Sequence, residues 1–491
     1  MQRTTPLLAL VAAAALAAPA QGASTFVIRG AGFGHGVGMS QYGADGYAQH
    51  GKDYKFILAH YFSGTKLSRL ASEQSIRVLM ETTPTSFSGA TNAGGRKLSA
   101  GTTYYVGPSG IGRVALKSST GKVLKTYDSL VRVTGPGPIR LNGTAGNGLA
   151  DGRYRGTMIF KSTAVGFMAI NELGLEDYVK GVVGAEVPSS WPADALRTQA
   201  VAARTYAITT GGGPNFDQYS DTRSQMYRGV YAEVASTLAA VDATAGQIVT
   251  YNGDPVVTYF FSTSGGRTED VENSFIGSPA KPWLKSVDDP YDNVSPLHRW
   301  GPYRYSMSAA ASRLGRYVKG TFRGIDVTKR GESPRVVYAD VVGSGGRVRV
   351  TGPQLRSIFG LRDSWATYNV ITASGKVDNP TSANTDTGSG SSTGSTGGGG
   401  TGASGGSDTG GASPGRLAVA SAVPSRAVAG HVGYVDRPTR VALQSRTSAG
   451  RWVTVARART TPRGSYRFRG LAPGRYRVWW RGTAGPVVRL P

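Results

Sequence analysis

The 491-residue chain contains no cysteine and only five histidines. The lack of cysteine excludes disulfides, thiol nucleophiles and cysteine-ligated zinc or iron–sulfur sites, so the fold must depend on a buried apolar core. Five histidines leave few other metal ligands, and we expect neither a metal site nor a cofactor. Acidic residues are also scarce, because 30 Asp and Glu stand against 55 Lys and Arg.

A long apolar stretch occurs only at the start of the sequence. Arg3 precedes the apolar run 7–18, which is too short to span a bilayer, and small residues follow at Ala18, Ala20 and Ala23. This pattern predicts a signal peptide over residues 1–23 and therefore a secreted, cell-wall-associated protein. A retained membrane anchor is the alternative.

The net charge of +25 indicates an acidic partner. For an exported protein that partner is an anionic wall polymer or lipid head group, so we expect no nucleic acid to bind. From Arg416 onward there are 15 arginines, no lysine and one acid, Asp436, which gives +14. These arginines either bind such a polymer or form a solvated sheet face.

Composition divides the mature chain into three parts. Residues 377–414 are mostly Gly, Ser and Thr, with Asp and Asn added, which predicts a flexible linker. Residues 24–376 form a large body, and residues 415–491 form an Arg-rich module. Four alternating runs separated by Gly/Pro turns predict that this module is a small all-β sandwich.

The large body mixes strand and helix patterns, which predicts an α+β fold with a substrate cleft. Helical periodicity is clearest over residues 174–210. The strand-like runs are Ser75–Met80, Thr103–Val106, Val123–Tyr127, Met158–Phe160 and Pro255–Phe261.

Glu186 occupies an unusual position for a carboxylate. It continues the apolar stripe of one predicted helix, just before Pro188 ends that helix. The stripe consists of Leu175, Tyr178, Val179, Val182 and Val183. Desolvation there would raise the pKa of Glu186, as a general acid requires.

A second helix is predicted from Pro192 to about Gly211, with Arg204 beside its small-residue stripe. Arg204 could turn back toward Glu186, although a close cation would lower the pKa of the acid. The structural alternative for Glu186 is a helix-end carboxylate bonded to free amides of the helix that starts at Pro192. Local sequence leaves both interpretations open.

Glycines alternate with larger residues at positions 32–39, which predicts an extended segment with one bare backbone edge. The spacing does not fit a nucleotide-binding loop. His35 within this segment is either a polar group of the cleft or a histidine bonded to the backbone. The run Ser262–Thr268 predicts a turn with hydroxyl bonding rather than a serine nucleophile.

Three long runs closely resemble the SpoIID/LytB family. They are GFGHGVGMSQYGADGYAQHGKDYKFILAHYFSGTKL at 32–67, LEDYVKGVVGAEVPSSWPADALRTQAVAARTYAI at 175–208 and YFFSTSGGRTEDVENSFIGSPAKPWLKSVDDPYD at 259–292. Together with IRVLMETTP at 76–84, the likeness covers nearly the whole body. In many relatives the glycine-rich run lies near the C-terminal end of the domain, so its N-terminal position here implies a permuted order with chain ends that lie close together.

The resemblance implies a peptidoglycan lytic transglycosylase, which cleaves between N-acetylmuramic acid and N-acetylglucosamine and leaves 1,6-anhydro ends. Glu186 would be the catalytic acid, and Arg204 and Lys285 would hold substrate. Trp283 stands where relatives usually have tyrosine and would offer an aromatic surface to a sugar.

His35 and Gln41 of the first run complete the predicted substrate-binding residues. Some relatives carry Cys and His ligands after the arginine helix. Residues 215–229 lack both, so we expect no zinc there, and Asp217 and Asp221 are interpreted as solvated or turn-forming.

Two other functions stay open. LytB-type members are described as amidase enhancers, so the chain could bind glycan and stimulate an N-acetylmuramoyl-L-alanine amidase without cutting. A hydrolytic muramidase would instead need a second carboxylate, such as Glu172, Asp177 or Glu269, to position water.

Overall fold

The computed structural model of the chain divides into two compact units, residues 1–391 and 392–491. It describes residues 24–163 and 166–380 of the first unit. In the second unit it describes residues 428–431, 440–447, 451–460, 465–469, 471–480, 483–484 and 488–490. The predicted signal peptide, 1–23, and most of the predicted linker lie outside the described residues.

Two antiparallel sheets form the centre of the first unit. The strand order of the larger sheet is Gln218–Tyr219, Ser75–Glu81, Gly166–Gly174, Thr157–Thr163, Leu130–Thr134, Asn92–Ala93, Arg96–Lys97, and only its first pair is parallel. The order of the second is Val123–Asp128, Arg113–Lys117, Tyr104–Pro108, Thr85–Ser88, Ile139–Asn142, Arg153–Tyr154. One apolar core joins both sheets, as the stacked rings of Phe87 and Phe160 illustrate at 5.2 Å between centroids.

Eight α-helices and three 3₁₀ turns are present in the described part of the chain. The helices are Gln41–Gln49, Tyr54–Tyr61, Leu175–Glu186, Ala193–Thr209, Ala235–Ala243, Val271–Ser274, Met307–Leu314 and Gly352–Phe359. The 3₁₀ turns are Gly229–Ala232, Asp292–Val294 and Gly315–Tyr317. Among the described residues, no helix is both long enough and apolar enough to cross a membrane.

Four small sheets complete the first unit. Their strand orders are Arg299–Ser306, Thr25–Ala31, Ala366–Ile371; Phe322–Arg330, Val336–Gly343, Gly346–Thr351; Asp254–Pro255, Gln247–Tyr251, Lys66–Arg69; and Phe260–Phe261, Met39–Ser40. The strand Thr25–Ala31 lies in the middle of its sheet and pairs with Ala366–Ile371 along six residues. The two ends of the body therefore lie side by side.

The C-terminal unit contains two sheets that share one apolar core. Val428–His431 pairs with Ser465–Phe468. The second sheet has the order Trp452–Arg459, Arg440–Arg446, Gly474–Trp480, Thr483–Ala484, and Val488–Leu490 also pairs with Gly474–Trp480. Phe468 from the first sheet packs with Val441, Leu443 and Val478 from the second, as a sandwich requires.

The α+β class is confirmed, and four of the five strand predictions in the body coincide with strands. The prediction of one strand over Pro255–Phe261 is wrong, because only its two ends are strands. The carbonyl of Val257 accepts from the Trp283 ring nitrogen at 3.1 Å, and that of Tyr259 accepts from the Met39 amide at 3.0 Å. The Val257 carbonyl is therefore bonded to a side chain, and the Tyr259 carbonyl is bonded to the short strand Met39–Ser40, which pairs only with Phe260–Phe261.

Candidate functional site

Glu186 is the last residue of the helix Leu175–Glu186, whose predicted stripe is buried. The helix stops there because Pro188 has no backbone N–H and disfavours helical geometry in the residue before it. Val187 closes the final turn by donating its amide to the Val183 carbonyl. The Glu186 side chain is thus held at a helix end, and the residue as a whole is partly exposed.

Two distant segments supply the hydrogen bonds to the Glu186 carboxylate. The Met226 amide donates to Oε1 at 2.6 Å, and Gln41 Nε2 donates to Oε2 at 3.3 Å. Neither donor belongs to the helix Ala193–Thr209, so the alternative interpretation as a cap of that helix is wrong. Glu186 instead joins the glycine-rich run to the loop before Gly229.

Burial raises the pKa of Glu186 above its ordinary value. The hydrogen bonds from Met226 and Gln41, and the charge of Arg228, offset part of this effect. Both donors are neutral and the arginine acts only at a distance, so desolvation dominates. This is the direction that the sequence predicted for a carboxyl group at this position.

Gln41 is the predicted substrate-binding residue that lies closest to the acid. It begins the helix Gln41–Gln49, whose N-cap Ser40 accepts from the Gly43 amide at 3.1 Å. Its side-chain amide also lies 3.5 Å from Gln199 Oε1, on the helix that follows Glu186. Gln41 therefore links three elements at the carboxylate.

Arg204 does not turn toward Glu186, so that expectation from the sequence is wrong. Its side chain is fully buried and makes a two-pronged ion pair with Glu176, with nitrogen–oxygen distances of 2.8 and 2.7 Å. It also donates to the backbone carbonyls of Ala200, Gln247 and Val241. Arg204 therefore links its own helix, Ala193–Thr209, to the helix Leu175–Glu186 and to the strand Gln247–Tyr251. Its side chain does not reach solvent.

Lys285 and Trp283 lie on the third run, and both side chains already have partners inside the protein. Lys285 Nζ lies 2.7 Å from both Asp270 Oδ2 and Glu272 Oε1, and these bonds raise the pKa of the lysine. Trp283 donates its ring N–H to Val257 and packs against Tyr251 at 5.3 Å between centroids. Within the described residues, no hydrogen bond joins either side chain to Glu186.

His35 is packed among aromatic rings, which supports its interpretation as a structural histidine bonded to the backbone. The centroids of Tyr259, Phe261 and Phe275 lie 5.9, 5.3 and 5.2 Å from its own. Nδ1 accepts from the Val37 amide at 3.1 Å. Burial, together with the nearby positive charges, lowers the pKa of His35 to about 3, so the ring is neutral at neutral pH.

The glycine-rich segment is not a flat extended strand, and that prediction is wrong. Gly32, Gly34, Gly36 and Gly38 all have positive φ, from 74° to 134°. A Cβ on Gly36 would lie 2.3 Å from Nε of Arg335, and one on Gly38 would lie 2.3 Å from the Tyr259 carbonyl. Glycine is required here by close packing inside the protein.

Asp292 connects the third run to the first, and sequence reasoning missed it. Oδ1 accepts from Ser40 Oγ at 2.9 Å and from the Ser264 amide at 2.7 Å. Oδ2 lies 2.8 Å from the Gly265 amide and 2.9 Å from His298 Nδ1. The Ser264 hydroxyl accepts from Gly266, so this run is the predicted hydroxyl-bonded turn.

Asp289 is a second missed carboxyl group in the same motif. Its side chain is fully buried, and burial together with the charge of Asp292 raises its pKa to about 7. The sequence signal was the acidic cluster Asp288–Asp292 at the end of the third run.

A partly exposed aromatic pair lies next to these elements in the chain. The rings of Tyr42 and Trp191 meet edge to face at 5.0 Å between centroids. Tyr42 follows Gln41, and Trp191 lies in the turn after Glu186. The pair offers an apolar surface that the sequence reasoning did not single out.

The acids of residues 215–229 have protein partners. Asp217 pairs with Arg77 at 2.7 Å, and Asp221 accepts from the Arg223 amide at 3.0 Å in a tight turn. In the ranges that the structure describes, no three His, Cys, Asp or Glu side chains come together as metal ligands.

Comparison with known proteins gives one family match, which covers the region of Glu186, and several similar proteins. Residues 163–251 match the family model of the stage II sporulation protein SpoIID. Stage II sporulation protein D of Bacillus subtilis is 30% identical over 214 residues, which cover 40% of this chain and 60% of that protein. An amidase enhancer of B. subtilis is 36% identical over 114 residues, or 23% of this chain and 15% of that protein.

A protein of Brachyspira hyodysenteriae is 39% identical over 138 residues, which cover 27% of this chain and 37% of that protein. The chain thus spans at most 60% of the length of each of these relatives. The family match includes Glu186, Arg204 and Met226, whereas Gln41 and Lys285 lie outside its bounds.

Proposed function

The chain belongs to the SpoIID/LytB family, and from this premise we propose that it is a peptidoglycan lytic transglycosylase with Glu186 as catalytic acid. The environment of the Glu186 carboxyl group carries the proposal. The residue is partly exposed, burial raises the pKa of its carboxyl group, and the two hydrogen-bond donors to that group are neutral. A raised pKa favours the protonated form of the carboxyl group, which is the form that can give a proton to a leaving oxygen.

One carboxyl group suffices for this reaction. Glu186 protonates the glycosidic oxygen while the bond from that oxygen to C1 of N-acetylmuramic acid breaks. The 6-hydroxyl of the same sugar forms the new bond to C1, and the Glu186 carboxylate accepts the hydroxyl proton. The acid is regenerated and no water is consumed, so no second carboxylate is needed to position one.

The neighbours of Glu186 suit this cycle. Gln41 and the Met226 amide donate to the carboxylate, so they stabilise the charge that appears after the first proton transfer. The Tyr42 and Trp191 rings offer a surface on which a sugar ring can pack.

The positions of the other carboxylates disfavour a hydrolytic muramidase. Glu172 is paired with Arg132, and Glu269 is fully buried and bonded to Ser333 and Glu332. Asp177 lies nine residues before Glu186 on the same helix, which corresponds to about 13 Å along the axis. That separation exceeds the roughly 6.5–9.5 Å between the carboxyl groups of inverting glycosidases.

The amidase-enhancer function is the second candidate, because one relative bears that name and is 36% identical over 114 residues. The two functions differ in one observable, which is whether the glycan strand is cut. An enhancer would bind peptidoglycan and accelerate a separate amidase with Glu186 left unused.

Product analysis on intact and peptide-free glycan separates the candidates. The proposal expects anhydro ends with the wild-type protein and with Asp177→Asn, a control on the same helix, and their loss with Glu186→Gln. Reducing ends that vanish with Asp177→Asn would indicate a hydrolase. No cleavage by any variant, combined with faster peptide release by an added amidase, would establish the enhancer and overturn the transglycosylase.

We further propose that the protein is exported and that its C-terminal unit binds an anionic wall polymer. In the described part of that unit, Arg477 lies 4.4 Å from the Trp452 ring centroid and donates to Gln444 Oε1 at 2.8 Å. Cations held over aromatic rings on a sheet face suit an acidic polymer.

Two measurements test these points. The mature N-terminus should lie between about residues 20 and 24. Retention on purified walls should fall with added salt and with deletion of residues 415–491. Unchanged retention of the deletion variant would refute wall binding by this unit.

A further inference from the structure

A groove of about 730 Å³ lies on the sheet that begins with Val123–Asp128, away from the contacts of Glu186. Six of its lining residues are serine or threonine, and residues from four neighbouring strands contribute to it. Cavities of this size hold extended small ligands.

The strand register places four of the lining side chains in one row across the sheet. Asn142 is paired with Ser86, Ser86 with Tyr105, and Tyr105 with Lys117. Because strand side chains alternate between faces, these four share the solvent side. Their neighbours Leu141, Phe87 and Leu116 are buried on the other side. We call Asn142, Ser86, Tyr105 and Lys117 the outer row.

The outer row has the chemistry that a sugar chain requires. Tyr105 is 46% exposed, which is unusual for a large ring in the middle of a sheet, and a pyranose can pack on its face. Asn142 and Ser86, which are hydrogen-bonded to each other at 3.2 Å, offer donors and acceptors to sugar hydroxyls. Four strands at about 4.8 Å spacing give a row of about 14 Å, the length of two or three sugar rings.

Charge around the groove favours an acidic sugar chain. The lining itself holds one cation, Lys117, and one carboxylate, Glu81, whose Oε1 already accepts from the Thr82 and Thr83 amides. Residues 85–154 contain nine Lys and Arg and two Asp, a net charge of +7. Lys117 ends the outer row and, among the described residues, no carboxylate lies within ion-pair distance of it. A carboxylate on the saccharide can occupy that place.

The groove is fixed to the segment that holds Glu186. Its lining includes Gly143 and Thr144, which start the loop 143–150. In that loop Asn147 donates to the Tyr227 carbonyl at 2.7 Å, and the preceding residue, Met226, donates to Glu186. A ligand in the groove therefore lies beside a loop that is hydrogen-bonded to the segment next to Glu186.

We propose that the outer row is a second saccharide-binding site, which takes a carboxylate-bearing amino-sugar chain such as a peptide-free glycan strand. The identity of this polymer rests on the proposed function, whereas the existence of the site does not. The site would hold a strand independently of the Glu186 cleft.

Calorimetric titration in the Glu186→Gln background tests the site without cleavage. The probe is a peptide-free tetrasaccharide of alternating N-acetylglucosamine and N-acetylmuramic acid, with neutral N-acetylchitotetraose as its comparison. We expect two bound equivalents of the acidic probe, and one after Tyr105→Ala, or an affinity at the groove lowered by about 10-fold. If the Glu186 cleft binds no glycan, the parent protein binds one equivalent and Tyr105→Ala binds none. Failure of the proposed function and failure of the second site therefore give different numbers of bound equivalents.

Matched variants complete the test. Tyr231→Ala removes another exposed tyrosine and should change nothing. Lys117→Gln should lower affinity for the acidic probe by about three- to five-fold and leave the neutral probe unaffected, while Lys122→Gln should alter neither. Unchanged binding by Tyr105→Ala with an unchanged urea midpoint, no binding by the parent protein, or equal losses from Lys117→Gln and Lys122→Gln would overturn the proposal.

Discussion

Replacing Arg204 with glutamine should destabilise the fold by about 3–5 kcal/mol. The wild-type guanidinium is fully buried and makes five hydrogen bonds, two to Glu176 and three to backbone carbonyls. Glutamine cannot reproduce the two-pronged pair. The variant therefore leaves the Glu176 carboxylate, which is 29% exposed, without its ionic partner, and it leaves three backbone carbonyls without the guanidinium donor.

Urea unfolding of single and double variants measures this loss. Glu176→Gln should also destabilise the protein, and Arg204→Gln combined with Glu176→Gln should lose less than the sum of the two. Arg197→Gln is the matched control on the same helix. Its pair with Asp194 is 37% and 32% exposed, so the loss should stay below about 1 kcal/mol.

The opposite outcome would restore the role that the sequence predicted for Arg204. If Arg204→Gln unfolds within about 1 kcal/mol of the wild type but loses glycan affinity, the residue holds substrate and the structural reasoning is refuted.

Three further predictions concern residues of the runs 32–67 and 259–292. The pKa of Asp289 is raised to about 7 in the fold, so unfolding free energy should fall by up to about 4 kcal/mol between pH 4 and 7 as the unfolded chain releases its proton first. Urea midpoints of Asp289→Asn should show a flatter pH dependence, and an unchanged one would contradict this. Gly36→Ala should cost more than about 2 kcal/mol, because its Cβ meets Arg335 at 2.3 Å, whereas Gly51→Ala, with positive φ but open space around it, should cost about 1 kcal/mol. Gln41→Leu removes a bond that lowers the Glu186 pKa, so carboxyl ¹³C NMR should titrate Glu186 at higher pH, and a downward shift would show that another group dominates.

Local patterns predicted much of this fold because helix and strand periodicities are properties of neighbouring residues. The helix Leu175–Glu186 and the raised pKa of Glu186 follow from one buried stripe, and the end of that helix follows from Pro188. The sequence could also place the next helix, but not the direction of Arg204. That direction depends on Glu176, which lies on another helix.

The alternation of glycine with larger residues gave a wrong prediction for the glycine-rich segment. Residues 32–39 alternate like a strand, yet glycine permits positive φ as readily as negative φ, and contacts with Arg335 and Tyr259 select the former. The partners of Glu186 and Asp292 were equally hidden, because Gln41 and Ser40 lie 145 and 252 residues away from them in the chain.

The central position of Thr25–Ala31 in its sheet also determines when the body can be completed. Its two partner strands begin at Arg299 and Ala366, so a chain emerging from its N-terminus must keep this segment unpaired until almost the whole body has been synthesised. Closing a loop of that length is slow. The strand made first is therefore among the last to be incorporated, and the small sheet that it centres cannot form until the C-terminal end of the body is available, whereas the two central sheets need no residue beyond Tyr219.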